Sequence, residues 1–206
     1  MRKPSPDERV VPAGPGRGEV REKASRFFAF AHPVSSAAEA GAIVEGLRRE
    51  YHDATHVAFA WKIGTGNSVS QRCSDAGEPS GTAGKPIAAA ISSAGVCDIV
   101  IAVVRYFGGT KLGTGGLARA YREAAEKALA AAGARKVREV VRVTVTCSYQ
   151  NLGAARRLVR PPDITLAAET FDPDPVLQLE VAASRLPELV ASLEEARLAH
   201  EISPRG

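Results

Sequence analysis

Residues 98–123 read DIVIAVVRYFGGTKLGTGGLARAYRE, and this stretch decides the fold. Asp98 to Phe107 contains an unbroken apolar run, Ile99 to Val104, rich in β-branched residues; a strand apolar on both faces is buried on both faces, so it reads as a central strand. Glycines at 108, 109, 113, 115 and 116 follow. Beyond them Leu117, Tyr121, Ala124, Ala128 and Leu129 recur at helical spacing, with Glu123 and Lys127 four apart on the outer face and Gly133 as terminator. Strand, glycine loop and helix together predict an α/β layer.

Upstream, SRFFAFA at 25–31 reads as a strand, and from Ser36 the residues Ala40, Ile43, Val44, Leu47 and Tyr51 mark a helix capped by Ser35 or Ser36. Thr55 to Gly64 alternates, with Val57, Phe59, Trp61 and Ile63 on one face and His56, Ala58, Ala60 and Lys62 on the other. This predicts a strand covered mainly on the first face, leaving His56 and Lys62 on an open one. Gly64 to Asn67 is turn chemistry, with Ser68 to Cys73 returning as the hairpin partner. Ile87 to Ala94 is a short helix with Pro86 in its first turn and Gly95 at its end. Residues 1–20, rich in Pro, Gly and charge without periodicity, read as a flexible tail.

Downstream of Glu139 the order is strand (140–149), helix (152–159), strand (164–171), strand (176–183) and helix (186–198), with HEISPRG left for an edge strand. This βαββα order is that of a ferredoxin-like unit. The expected fold class is α+β: a first domain at 21–135 with a mixed sheet and helices mainly on one face, then a ferredoxin-like domain at 139–206.

The 206 residues can bury a real core, and 45% hydrophobic with 24% charged is ordinary globular composition. The longest apolar run is too short to cross a bilayer, and MRKPSPDERVVPAGPG has no apolar core of the signal-peptide kind, which predicts a cytoplasmic protein without membrane contact. Cys73, Cys97 and Cys147 lie far apart and fit neither a disulfide framework nor a metal site. The net charge is +4, and residues before 138 hold 19 basic and 13 acidic side chains against 8 and 10 in residues 138–206. The positive half is amino-terminal.

Two segments carry candidate chemistry. In FGGTKLGTGGLARAYRE, glycines let backbone amides face outward at a helix start, and Lys111, Thr114, Arg119 and Arg122, with Arg105 on the preceding strand, could hold a phosphate-like anion. SDAGEPSGTAGK at 74–85 gathers Asp75, Glu78, Ser80, Thr82 and Lys85, groups suited to proton transfer or to an ordered, self-capping loop. No His or Cys base stands beside Ser80 in sequence. A P-loop is excluded, since Pro79 replaces its first glycine and Pro86 follows Gly84-Lys85; a dinucleotide fingerprint lacks its downstream acid. His52 and His56 are four apart but straddle a helix end and a strand start, so they do not form a metal pair. No pattern requires a cofactor or metal. His56 is retained as a candidate contact.

SRFFAFAHPV, DATHVAFAWKIG, SDAGEPSGTAGKPI and VVRYFGGTKLGTGGLARAY, in this order and spacing, resemble the signature of the YigZ/Impact family. The resemblance covers residues 20–133 strongly and 139–198 more weakly. It implies an amino-terminal domain like the second domain of ribosomal protein S5 and a ferredoxin-like domain similar to one in elongation factor G, both of which work against ribosomal RNA. Eukaryotic members are implicated in translational control through an activator of a stress kinase. Ala58 stands where family members often carry cysteine, and Ala76 where an acidic pair often continues. The expected function is a translation-related binding module that contacts RNA, ribosome or a translation partner through the glycine-rich basic surface. The alternatives are a small hydrolase- or peptidase-like enzyme using the Asp75–Lys85 cluster on a phosphorylated or carboxylated molecule, and a protein–protein adaptor.

Overall fold

The computed structural model describes residues 7–65 and 69–203. The expected turn at Gly64–Asn67 therefore falls partly outside the described residues, as do the first six residues of the expected tail. The chain divides into two compact units, one spanning Arg9–Val137 and the other running from Arg138 onward together with residues up to Glu8.

The first unit holds strands β1 (Glu8–Pro12), β2 (Gly16–Glu22), β3 (Ser25–Pro33), β4 (His56–Ile63), β5 (Ser70–Ser74), β6 (Ile99–Tyr106) and β7 (Ala134–Arg138). Its helices are α1 (Ala37–Glu50), α2 (Gly84–Ala94) and α3 (Gly113–Ala132). Five strands form one sheet in the order β2-β3-β6-β4-β5, with the apolar run Ile99–Val104 in the middle. Every pairing in it is antiparallel, where the sequence reading anticipated a mixed sheet. α2 and α3 cover one face over Phe27, Ala29, Ala58, Ala60, Ile101 and Val103. α1 covers the other over Phe30, Val57, Phe59, Trp61, Val100 and Val104.

Both faces of β4 are thus buried, which corrects the open face expected at His56 and Lys62. Ala58 and Ala60 are small because helices pack over them, and each is fully buried. Small residues admit a close helix as well as they suit an exposed face, so size alone did not discriminate.

The amino-terminal segment also departs from expectation. From Glu8 it is strand: β1 pairs with β7, and β2 pairs with β3 from Gly16↔Ala31 to Glu22↔Ser25. The inward positions of β2 are Gly16, Gly18 and Val20, against which α3 lies. A Cβ on Gly18 would come within 2.7 Å of Lys127 Cβ and 2.8 Å of the Ala124 carbonyl oxygen. The strand's buried side is therefore written in glycine, which carries no hydropathy signal.

In the second unit β8 (Val140–Thr146), α4 (Leu152–Arg157), β9 (Ile164–Thr170), β10 (Val176–Ala182), α5 (Leu186–Glu195) and β11 (Ala199–Ser203) follow in turn. The antiparallel sheet has the order β11-β8-β10-β9, the ferredoxin-like arrangement, and His200–Ser203 of the closing segment do supply the edge strand. Val143, Val145, Leu177, Leu179 and Val181 pack under Leu189 and Leu193 of α5. Asp7 joins this unit: its carboxylate accepts from the Ser184 amide and hydroxyl, both at 2.7 Å, and its carbonyl accepts from the Glu139 amide at 2.8 Å.

Candidate functional site

β6 carries Arg105 out of the apolar centre toward the end of the sheet, on the face covered by α3. The side chain stays buried, 6% exposed, because Glu78 meets it: Arg105 Nη1 donates to Glu78 Oε1 at 2.6 Å. Tyr121 of α3 donates its hydroxyl to the same oxygen at 2.7 Å. Burial first, and then that hydrogen bond, push the Tyr121 phenol far above its usual range, so it remains a donor. Arg105 Nη2 reaches Ser25 Oγ at 3.4 Å, and this oxygen also accepts the Gly108 amide at 3.2 Å. His56, the first residue of β4, donates from Nδ1 to the Ala76 carbonyl at 2.8 Å in the matching tautomer, which turns Nε2 toward Glu78 Oε2 at 4.0 Å. One carboxylate thus ties the ends of β6 and β4, the 75–83 loop and α3 together, and Arg105 extends the frame to Ser25 at the start of β3.

Asp75 organises that loop. Its carboxylate accepts the amides of Gly81 at 2.8 Å, Ala83 at 3.0 Å and Gly84 at 2.8 Å. Burial alone would raise the carboxyl pKa; these three donors outweigh it and hold it below the ordinary value. The start of α2 is therefore capped from within: Asp75 takes the Ala83 and Gly84 amides, and Pro86 has none to offer an external anion. Thr82 Oγ1 donates to the Pro79 carbonyl at 2.7 Å. Ser80 is exposed and its hydroxyl meets no base among the described residues. Glu78, Asp75 and Thr82 are all committed to internal bonds, so the 74–85 cluster is built as structural support.

The start of α3 is arranged in the opposite way. The helix begins at Gly113, four residues earlier than the apolar stripe suggested, so the last three glycines belong to its first turn. It has no side-chain cap and no acidic residue there. Gly113 has φ +70°, a left-handed conformation that glycine adopts without strain. Gly108 lies against the backbone of Ala24 in the β2–β3 turn, where a Cβ would overlap it. Lys111, Thr114 and Arg119 are exposed, and Lys111 and Arg119 have no ion-pair partner among the described residues. Arg119 Nη1 lies 3.7 Å from where a Cβ on Gly115 would stand, beside the open first turn. Arg122 is exposed but already paired with Glu126 at 2.7 Å. Lys85 is exposed on α2. Phe107 opens the loop at 46% exposure, with its ring 5.5 Å from the Arg105 guanidinium.

The eleven residues singled out in the sequence therefore separate into two groups. His56, Asp75, Glu78, Thr82 and Arg105 form an internal frame, while Ser80, Lys85, Lys111, Thr114, Arg119 and Arg122 lie on the surface. The frame corrects the expectation of a surface at Glu78, Thr82 and Arg105, which are each less than a tenth exposed. Ser25 and Tyr121 are the frame members that sequence reasoning missed. Tyr121 sits on the apolar stripe of α3, and the only signal was a hydroxyl that must find a partner when buried. Among the described residues no group of three or more His, Cys, Asp or Glu is placed to hold a metal.

The fold and this site define a two-unit α+β protein with a glycine loop set on a rigid buried ion pair. Residues 23–129 match the model of the Impact N-terminal domain. The chain is 33% identical over 187 residues to the IMPACT family member YigZ of Escherichia coli (strain K12), covering 90% of this chain and 92% of that one. It is 40% identical over 152 residues to an IMPACT family member of Thermus thermophilus, covering 74% and 80%. A crystal structure of a hypothetical protein, 30% identical, superposes with a TM-score of 0.65 over 97% of this chain and 98% of that one. The chain belongs to the Impact family.

Proposed function

We propose that the chain is a translation-associated binding module that contacts the phosphate backbone of RNA through the loop Phe107–Leu112 and the first turn of α3. The observation that carries this reading is the contrast between the two helix starts. That of α2 is closed by Asp75 of the preceding loop, whereas that of α3 is uncapped, free of acid and flanked by Lys111 and Arg119, which have no ion-pair partner among the described residues. Free amides, helix dipole and mobile cations together favour phosphate oxygens. The translational control implied by the family resemblance supports the choice of RNA. The Glu78–Arg105–Tyr121 bonds give the loop a fixed base, which lowers the entropy lost when a partner docks.

The test is co-sedimentation of the full chain with ribosomes as salt rises from about 50 to 200 mM, a range over which phosphate-dominated binding falls steeply. Wild-type protein should sediment at low salt and be released at high salt, and Lys111→Ala with Arg119→Ala should reduce the low-salt fraction. Equal, salt-sensitive sedimentation of that variant would place the contact elsewhere. Both side chains are exposed, so the substitutions leave the core intact.

A further inference from the structure

α1 lies over β4 and β6, and the same face of the sheet continues past it onto β3 and β2. There this face carries Arg17, Glu19 and Arg21 on β2 and Arg26, Phe28 and Phe30 on β3, with Phe28 half-buried and Phe30 buried beneath Arg17 and Tyr51. A groove of ≈ 380 Å³ lies on this part of the face, with Phe28, Phe30 and Tyr51 among its walls and Arg17 and Glu19 at its rim. The aromatic rings are arranged in pairs: Phe28 meets Tyr106 edge-on at 6.1 Å, and Tyr51 lies 5.5 Å from Phe30. Each pair carries a guanidinium, Arg26 at 4.6 Å from the Phe28 ring and Arg17 at 5.2 Å from the Phe30 ring. Three arginines on these two strands face one carboxylate, Glu19, which Arg21 and Arg26 share at 2.9 and 3.4 Å. Arg17 has no ion-pair partner among the described residues.

We propose that this groove stacks unpaired bases of single-stranded RNA. Planar bases suit ring faces over which planar guanidinium groups already sit, and stacking tolerates any base because every base has a π-face. When a base takes its place on a ring, the displaced arginine is left beside the strand's phosphates, where a bidentate donor fits. Arg21 and Arg26 are balanced by Glu19, and Asp53 accepts from the Tyr106 hydroxyl at 2.7 Å, so the cation left for a strand's phosphate is Arg17. From the groove this face leads toward the phosphate surface: Phe28 meets Tyr106, and the next residue, Phe107, opens the glycine loop. The inference rests on the RNA reading of that loop and adds to it the part of the RNA that the loop cannot hold. A duplex hides its base faces, so the occupant is unpaired.

The experiment measures binding of the full chain to a fluorescent oligouridylate of ~10 nucleotides, a length within the range of single-strand grooves, and to an abasic oligomer of the same length and charge. The base-bearing oligomer should bind at least about fivefold more tightly, the lower bound for one stacked base. Phe28→Leu with Tyr106→Leu, at an unchanged melting temperature, should remove that difference. If this pair of changes unfolds the chain, the exposed Arg17→Ala replaces it and should weaken the base-bearing oligomer about twofold or more. Equal binding of the two oligomers by wild-type protein, the outcome also expected if the groove takes a protein segment, overturns the proposal. So does an undiminished preference in folded variants. Weakening of both oligomers to the same extent by Lys111→Ala with Arg119→Ala upholds the phosphate surface on its own. A preference lost only with the aromatic pair upholds the groove even where that double variant has no effect.

Discussion

Removing the Glu78 carboxylate should destabilise the first unit more than any other single change at the glycine loop. The side chains of Glu78 and Arg105 are 3% and 6% exposed, so neither water nor another residue can replace the lost charge without rearrangement. Breaking a buried pair from one side leaves a bare ion and costs about 3–5 kcal/mol. The Tyr121 hydroxyl, bonded to the same oxygen, loses its acceptor as well, a further ~1–3 kcal/mol if it stays unpaired. Against a total stability of about 5–15 kcal/mol, Glu78→Ala removes about a quarter or more. Arg105→Met should cost a similar amount by stranding the carboxylate. The double variant strands neither charge, so it should cost less than the sum of the two by at least ~2 kcal/mol. Trp61 is the sole tryptophan and lies in this unit's sheet, so urea unfolding followed by its fluorescence reports this unit specifically. Single variants that each lose under about 1 kcal/mol, or losses additive to within ~0.5 kcal/mol, would refute the buried pair as the anchor of the loop.

Asp75→Ala uncaps α2 and should cost about 1–2 kcal/mol in the same unfolding assay, with Asp75→Asn retaining part of it. Because folding lowers the Asp75 pKa, its contribution is present above the ordinary aspartate value of 3.8 and is lost as pH falls through the folded pKa; wild-type stability should decline more steeply below about pH 4 than that of Asp75→Ala. Gly113→Ala places a side chain at φ +70° and should lower stability by about 1–2 kcal/mol, measurable by thermal melting. Asp7→Ala removes the carboxylate that holds the Ser184 amide and hydroxyl, and should destabilise the second unit by ~1–3 kcal/mol while leaving Trp61-detected unfolding of the first unchanged.

The central strand, α1, the ladder of β4 and the whole βαββα order of the second unit were legible because each is written in apolar periodicity over several residues. β2 was not, since its buried side is Gly16, Gly18 and Val20 and its exposed side is charged. β1 and β7 are five residues each and gain strand character only by pairing across nearly the whole length of the first unit, which no local pattern reports. At the site, glycine density correctly marked a loop between strand and helix. It could not separate the two glycine loops, because the difference lies in where Asp75 points. Arg105 reads in sequence as the polar residue that ends an apolar strand, and Glu78 as one acid of a polar loop. Their 2.6 Å bond joins residues 27 apart and follows from how α3 and the 75–83 loop close over the sheet end.

RNA binding at the start of α3 is tested most directly by the salt dependence of affinity for wild-type protein and for Lys111→Ala with Arg119→Ala, measured on one unpaired oligonucleotide. If both side chains neutralise phosphates, the slope of log affinity against log salt should shrink in magnitude by about 1.4, or ~0.7 for each phosphate of a single strand left without its cation. An identical slope in the folded double variant would contradict the claim that the start of α3 is where this protein meets its partner.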